Sequence, residues 1–423
     1  MRRLCILAAL SACLLWAGPA TGEGWKANIA GHPSLPHKFL AVDKASQKLH
    51  LYARQSPLKE LSSYPCTTGQ GNGDKQSMGD LRTPEGVYFV EGRMTRPLDW
   101  EMYGNLAYPL NYPNPVDRLK GKTGYGIWIH GRGRNIVPRD TRGCVAMNTP
   151  DLKVLGQSLD PGTPVVISSE LAVRTDAVAD AGAARDLEEA VTLVNKWARA
   201  WETGSEEFFS YYDPKAYSEA GEGDFERFRA QKRSLFERYA WIRVLAHDVR
   251  ALAGPDYVVT YFRQYYRSPA LVSEGISRLY WMRGAGGGLR IVGREWERTG
   301  VTLDGAYLER SRAEIAPVID AWRKAWERAD LAGYMKHFAP GATQGERSGH
   351  AIREHKAQLW PVATPKRVVF GSQRYALAPE GIEVTFNQTY AAKGGYEDKG
   401  VKTLLMVPHG AGWKILREDW RPL

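Results

Sequence analysis

Two periodicities divide the chain. Between about Pro36 and Ser169, apolar residues come as short runs and alternations punctuated by Gly and Pro. Lys38-Phe39-Leu40-Ala41-Val42-Asp43 and Lys48-Leu49-His50-Leu51-Tyr52 predict a β-hairpin around Lys44-Ala45-Ser46-Gln47. Further strands are predicted at Val87–Val90, Gly126–His130 and Thr163–Ile167, and a short helix over Asp151–Leu159. This region reads as a small, mainly β domain with long functional loops. Beyond an Ala-rich polar stretch, Ala172–Arg185, taken as a linker or helix lead-in, the period changes. Leu187, Ala190, Val191, Val194, Trp197 and Ala198 fall at helical spacing, and alternating strands follow through Trp296.

That second pattern occurs twice. Lys196-Trp197-Ala198-Arg199-Ala200-Trp201 returns as Ala321-Trp322-Arg323-Lys324-Ala325-Trp326. Phe262-Arg263-Gln264-Tyr265-Tyr266 matches Phe386-Asn387-Gln388-Thr389-Tyr390, and Leu289–Trp296 matches Trp413–Trp420, at an offset of about 124 residues. A repeat of that length means duplicated domains, not a solenoid. Each copy combines an amphipathic helix, a short helical region and long antiparallel strands, an α+β recipe. It resembles the nuclear-transport-factor-2-like (SnoaL-like) fold, and that resemblance implies a cone-shaped domain. The expected order is a signal peptide over 1–22, a mainly β domain over 36–169, and α+β copies over 185–300 and 311–423.

Composition adds a cell address. Met1-Arg2-Arg3, the apolar run Leu4–Trp16 and the small residues Ala17–Gly22 form a secretory signal pattern, too short to span a bilayer. Leu10-Ser11-Ala12-Cys13 also resembles a lipoprotein box, so anchoring at Cys13 is a second expectation. The net charge of +10 suits an anionic wall or headgroup surface. Positive residues are scattered among acids, which argues against nucleic acid. Periplasmic location, with peripheral wall or membrane association, is expected. Cys66 and Cys144 remain after signal removal, and Cys144 is expected as a free thiol rather than as half of a Cys66–Cys144 disulfide.

Chemistry concentrates at Ile127-Trp128-Ile129-His130-Gly131, a β-type run ending in histidine, and at Thr141-Arg142-Gly143-Cys144-Val145. A thiol with an imidazole in reach is a nucleophile with a base, and His130 is expected to lower the cost of forming the Cys144 thiolate. The glycine cluster Gly69–Gly73 lacks the Gly-Lys-Ser/Thr ending of a phosphate loop. The other eight histidines show no metal-ligand spacing, so no metal or cofactor is implied.

Gly79-Asp80, Thr83-Pro84-Glu85-Gly86, Leu110-Asn111-Tyr112-Pro113-Asn114, Gly121–Gly126, Ile127–Gly131 and Gly143-Cys144 appear in the order seen in L,D-transpeptidase (YkuD) catalytic domains. The first domain resembles that family. The resemblance implies a cysteine acyl transferase acting on peptidoglycan tetrapeptide stems, as L,D-transpeptidase or L,D-carboxypeptidase. It makes Cys144 the nucleophile, His130 the base, the Gly131 carbonyl its orienting partner, and the amides around Gly143 and Cys144 the oxyanion hole. Arg142 and Tyr112 are candidate substrate contacts. The sequence departs from the commonest family pattern at Arg142, where many members carry histidine, and at Ala146, where many carry arginine. Arg132, Arg134, Arg139 or Arg142 are the cations that could compensate. Two other readings are a non-catalytic wall-binding scaffold using the duplicated domains, and catalysis inside a cone pocket. For the repeats themselves, interaction or homodimerisation is expected.

Overall fold

The computed structural model describes residues 24–174 and 181–423. The signal segment, with Cys5 and Cys13, lies outside the described residues. Among the described residues no helix is long and apolar enough to cross a membrane.

The first domain is built on an eight-stranded sheet in the order Gly86–Phe89, Pro164–Ser168, Lys38–Asp43, Lys48–Ala53, Lys59–Thr67, Val145–Asn148, Trp128–Arg132, Ala107–Pro109. The predicted hairpin forms with Lys38 opposite Ala53 and Asp43 opposite Lys48. The strands Trp128–Arg132 and Val145–Asn148 run parallel and adjacent, with His130 beside Ala146. The helix Thr149–Leu155 covers one face, burying Leu152 and Leu155 on Ile129, Val145 and Met147. Of the stretch expected as a linker, residues 172–174 are strand and 175–180 lie outside the described residues. Glu170–Arg174 is a strand pairing in parallel with Lys26–Ala30, and the helix that follows begins at Ala181.

Each repeat is an α+β domain. The first packs the helix Ala181–Thr203 against a four-stranded antiparallel sheet running from Arg243–Ala253 to Leu289–Arg298. The second packs the helix Asp304–Glu327 against a larger sheet led by Gly381–Ala392, Glu397–His409 and Gly412–Pro422. The interiors are aromatic: Trp197, Trp201 and Phe208 in one, Trp322, Trp326 and Tyr334 in the other.

The strand Val258–Ser268 shows how the units join. Its alternation is that of any strand, odd positions on one face and even on the other. Val258, Phe262 and Tyr266 point into the first repeat's own core. Val259 and Tyr261 point outward into a core shared with Phe39, Val87 and Phe89 of the first domain. Tyr265, farther along the same face, stacks on Tyr307 of the second repeat at 5.2 Å and donates to Asp304 at 2.7 Å. One sheet face therefore carries both neighbours and is not free for a partner chain. The buried Tyr257 hydroxyl accepts from the Val87 N–H at 2.8 Å, and the Asn111 amide donates to the Glu295 carboxylate at 2.9 Å. These bonds tie the first repeat to the strand and loop beside the candidate site.

Candidate active site

His130 and Cys144 come together through strand register. Ala146 is the neighbour of His130, and Cys144 stands in the bend just before that strand, two residues before Ala146, so the register sets the thiol's turn beside the strand that carries the imidazole. The His130 ring is buried, and its Nδ1 lies 2.7 Å from the Gly131 carbonyl oxygen. A carbonyl only accepts, so Nδ1 carries the hydrogen and Nε2 keeps its lone pair. Tyr103 packs edge-on against the ring at 5.1 Å and holds it from the other side.

Cys144 is surrounded by protein but keeps an accessible edge. Its S–H donates to the Gly126 carbonyl at 3.4 Å. Both cysteines are free, and Cys66 is buried opposite Met147 in the sheet. Burial pushes the Cys144 thiol up to about 11, against the pull of a backbone hydrogen bond and of Arg132 and Lys75. Burial likewise pushes His130 down to about 4, with the Gly131 hydrogen bond opposing and Arg132 assisting. The resting pair is therefore a neutral thiol and a neutral imidazole. The expectation that His130 eases formation of the Cys144 thiolate concerns the reacting pair and stands apart from this resting state, in which burial sets both groups.

The turn before the thiol is set by backbone. Gly143 has φ +126, and a Cβ there would sit 2.8 Å from the Arg82 carbonyl oxygen, so only glycine fits without strain. Its N–H is taken by the Thr141 hydroxyl at 3.2 Å, and that hydroxyl donates in turn to the Cys144 carbonyl at 2.7 Å. Among the described residues nothing accepts from the Cys144 N–H, which leaves it as the open donor of the expected oxyanion pair.

A buried ionic lattice holds the glycine-rich loop beside this turn. Lys44 pairs with Glu85 at 2.8 Å, and Lys122 bridges Asp74 at 2.7 Å and Asp117 at 2.9 Å. Lys75 pairs with Asp80 at 2.8 Å. Burial raises the Asp80 carboxyl, but Lys75 and the N–H groups of Ser77, Gln76 and Arg82 outweigh it and hold the carboxyl at about 2.

The candidate substrate contacts separate clearly. Arg142 is exposed and has no hydrogen-bond or ion-pair partner among the described residues, so its guanidinium is free to meet an anion. Arg134 and Arg139 are exposed but engaged, with Asp140 and Asn72 respectively. Arg132 is buried two residues beyond His130, on the same strand face, and donates to the Asp140 carbonyl at 2.7 Å. It is the cation built into the site where Ala146 offers none. Tyr112 does not line a groove. It is 5% exposed, packs on Tyr88 and donates to the Thr123 carbonyl at 3.2 Å. It braces the loop that supplies the Gly126 carbonyl. Tyr103 and Lys75 were not singled out from the sequence, and Thr141 entered only within the run Thr141–Val145, with no role assigned.

Among the described residues no group of three or more His, Cys, Asp or Glu side chains could hold a metal ion. The repeats do contain buried charge that their sequence hid. Lys402 and Glu418 form an ion pair inside the second repeat, with Tyr334 and Gln344 on the same carboxylate. In the first repeat Lys232 rests on the Trp201 ring at 3.8 Å.

A mostly-β domain that carries a cysteine and a carbonyl-oriented histidine, followed by two α+β domains, is the architecture of an L,D-transpeptidase-type catalytic domain joined to two NTF2-like domains. The chain carries an L,D-transpeptidase catalytic domain of the YkuD family over residues 37–167 and belongs, through residues 189–295 and 314–419, to the Cds6 C-terminal NTF2-like domain family. It is 29% identical over 170 residues to YafK of Escherichia coli (strain K12), a candidate L,D-transpeptidase; the match covers 37% of this chain and 63% of YafK. Bd1075 of Bdellovibrio bacteriovorus is 26% identical with a TM-score of 0.51, over 65% of this chain and 97% of that one. The helical cell shape determining protein Pgp2 of Campylobacter jejuni is 26% identical with a TM-score of 0.49, over 63% of this chain and 94% of that one.

Proposed function

We propose that the protein is a cell-envelope cysteine enzyme that acts on the tetrapeptide stems of peptidoglycan as an L,D-transpeptidase or L,D-carboxypeptidase. The observation that carries this reading is the placement of His130, fixed by the Gly131 carbonyl, on the strand beside the turn that carries Cys144. Location in the periplasm rests on the export pattern of residues 1–22, and peripheral wall association on the net charge of +10.

The geometry supports a concerted first step. As the Cys144 sulfur bonds to the carbonyl carbon between the third residue and the terminal D-alanine, its proton passes to His130 Nε2. The new oxyanion is met by the Cys144 N–H, a donor of the kind worth roughly 3 kcal/mol. The imidazolium then gives its proton to the leaving nitrogen, the C–N bond breaks, and D-alanine departs. The acyl-enzyme passes to an amine, giving a cross-link, or to water, giving a tripeptide. Arg132 and the free Arg142 are the cations in reach for the carboxylates of the stem.

A homodimer through the repeats would have to form outside the sheet face already covered by the first domain and Tyr307. The test is to incubate muropeptides with the protein and with Cys144→Ala. Release of D-alanine or formation of cross-links by the intact protein alone supports the reading. Equal products from both would end it.

A further inference from the structure

We propose that a cleft at the free edge of the catalytic-domain sheet binds the glycan strand of peptidoglycan, a chain of N-acylated amino sugars. The inference rests on the peptidoglycan reading above and adds a site to it. The cleft encloses about 450 Å³ between the helix Trp100–Tyr103, the edge strand Ala107–Pro109 and the end of the helix Thr149–Leu155. That is ample room for a ligand of sugar size, by the usual span of about 300–1,000 Å³.

Its parts are those a pyranose needs. Trp100 is 55% exposed, an unusual place for a large ring without a partner. One side of it lies close against Gly133: a Cβ there would sit 2.4 Å from the Trp100 carbonyl oxygen and 2.6 Å from its indole ring. The exposed part of the indole offers an apolar plate for the flat C–H face of a sugar. At the floor, Tyr108 is 4% exposed, yet its hydroxyl has no hydrogen-bond partner among the described residues. The hydroxyl itself meets solvent at the cleft, so it is open to a ligand's hydrogen bond. Asn105 accepts from the Leu98 N–H at 3.1 Å through its oxygen, which leaves the amide N–H₂ for a ligand. The exposed Gln157 amide offers a donor and an acceptor from the opposite wall, where an acetamido group needs both. Arg93 and Lys153, exposed at the same cleft, add positive charge for the stem carboxylates hanging from the glycan.

An extended peptide is the weaker occupant. The edge strand is three residues long and ends in Pro109, so it has little backbone to pair. The connection to chemistry is short. One four-residue helix turns Trp100 into the cleft and Tyr103 onto His130. A glycan held at the cleft keeps its attached stems near the thiol.

The experiment uses the full chain as Cys144→Ala, which separates binding from turnover. Calorimetric titration with peptide-free glycan strands, prepared by amidase digestion, and with chitotetraose should show saturable binding. Trp100→Ala should weaken it roughly tenfold, the scale of one lost aromatic stack. Trp100→Phe should retain most of it, and Tyr108→Phe should lose several-fold. A free stem tetrapeptide should not compete. Absence of glycan binding, or equal affinity in Trp100→Ala with an unchanged melting temperature, overturns the proposal. If Trp100→Ala unfolds, the surface change Gln157→Ala decides, and undiminished affinity there refutes the site. Binding without any acyl transfer by the parent protein would sink the enzymatic reading and leave the cleft standing, whereas turnover without glycan binding would do the reverse.

Discussion

Alkylation of Cys144 at graded pH separates a neutral pair from an ion pair. Burial places the thiol at about 11. At pH 7 such a thiol is ionised to about one part in 10⁴, against roughly 3% for an ordinary cysteine near 8.5. The deficit in thiolate is roughly 300-fold. A thiolate of higher pKa is intrinsically more reactive, with a Brønsted slope of about 0.4–0.5, which returns about tenfold to eighteenfold. Iodoacetamide should therefore react with Cys144 about 20-fold to 30-fold more slowly than with free cysteine at pH 7. The rate should climb about tenfold per pH unit well past pH 9, as expected when thiolate limits the reaction. Cys66 is buried and its thiol is pushed up further by burial, so it should contribute no background. His130→Gln, which keeps volume near the sulfur, should change the alkylation rate by no more than about threefold while abolishing acyl transfer. A fast rate with a plateau from about pH 6, reduced a hundredfold in His130→Gln, would mean a resting thiolate–imidazolium pair and refute this reasoning.

Three further outcomes follow from contacts already described. Gly143→Ala forces a Cβ to 2.8 Å from the Arg82 carbonyl at φ +126, so acyl transfer should fall roughly a hundredfold with stability lowered by about 1–3 kcal/mol; kinetics within a few-fold of wild type would contradict it. Tyr257→Phe strips the buried Val87 N–H of its acceptor and should cost about 1–3 kcal/mol in urea unfolding, and a change below about 0.5 kcal/mol would show that the interdomain bond is not stabilising. Lys402→Met leaves the buried Glu418 with Lys356 as its nearby cation and with the Tyr334 and Gln344 hydrogen bonds. Burial opposes ionisation of Glu418, but Lys402 and Lys356 prevail and hold its carboxyl below the usual 4.5. In the wild type that stability is present above about 4.5 and is lost as pH falls through the lowered native value. The variant should lose about 3–5 kcal/mol at neutral pH and recover part of it on acidification; a pH-independent loss would be against the ion-pair account.

The sequence carried the fold through local rules and the site through chain order. The hairpin at Lys38–Ala53 is legible because alternation and a polar turn occur within 16 residues. The duplicated cones are legible because the Trp-bearing helices and Phe-bearing strands recur in order. What stayed hidden is decided by distant partners. The strand Glu170–Arg174 pairs with Lys26–Ala30, about 144 residues away, and its composition reads as linker. Tyr112 looks like a groove aromatic in a Pro-containing loop until Tyr88 and Thr123 bury it. Tyr103 ends a helix of only four residues, too short to leave a periodic pattern, and only the return of Trp128–Arg132 beneath it makes it a neighbour of His130. Lys402 and Glu418 sit on neighbouring strands of alternating sequence, where one register step would turn both to solvent. The resting ionisation of Cys144 is likewise set by surroundings that its residue type does not carry. Residue types say which proton can move, but burial says where it rests.

The central claim is that the Cys144 sulfur becomes acylated by a peptidoglycan stem. Intact-protein mass spectrometry after rapid quenching with disaccharide tetrapeptide tests it most directly. The expected spectrum shows an adduct with the mass of the disaccharide tripeptide acyl group. Proteolytic mapping should place it on the peptide containing Cys144, and Cys144→Ala should lack it. A protein that yields no adduct under conditions of turnover, or one whose adduct survives in Cys144→Ala, would contradict the account.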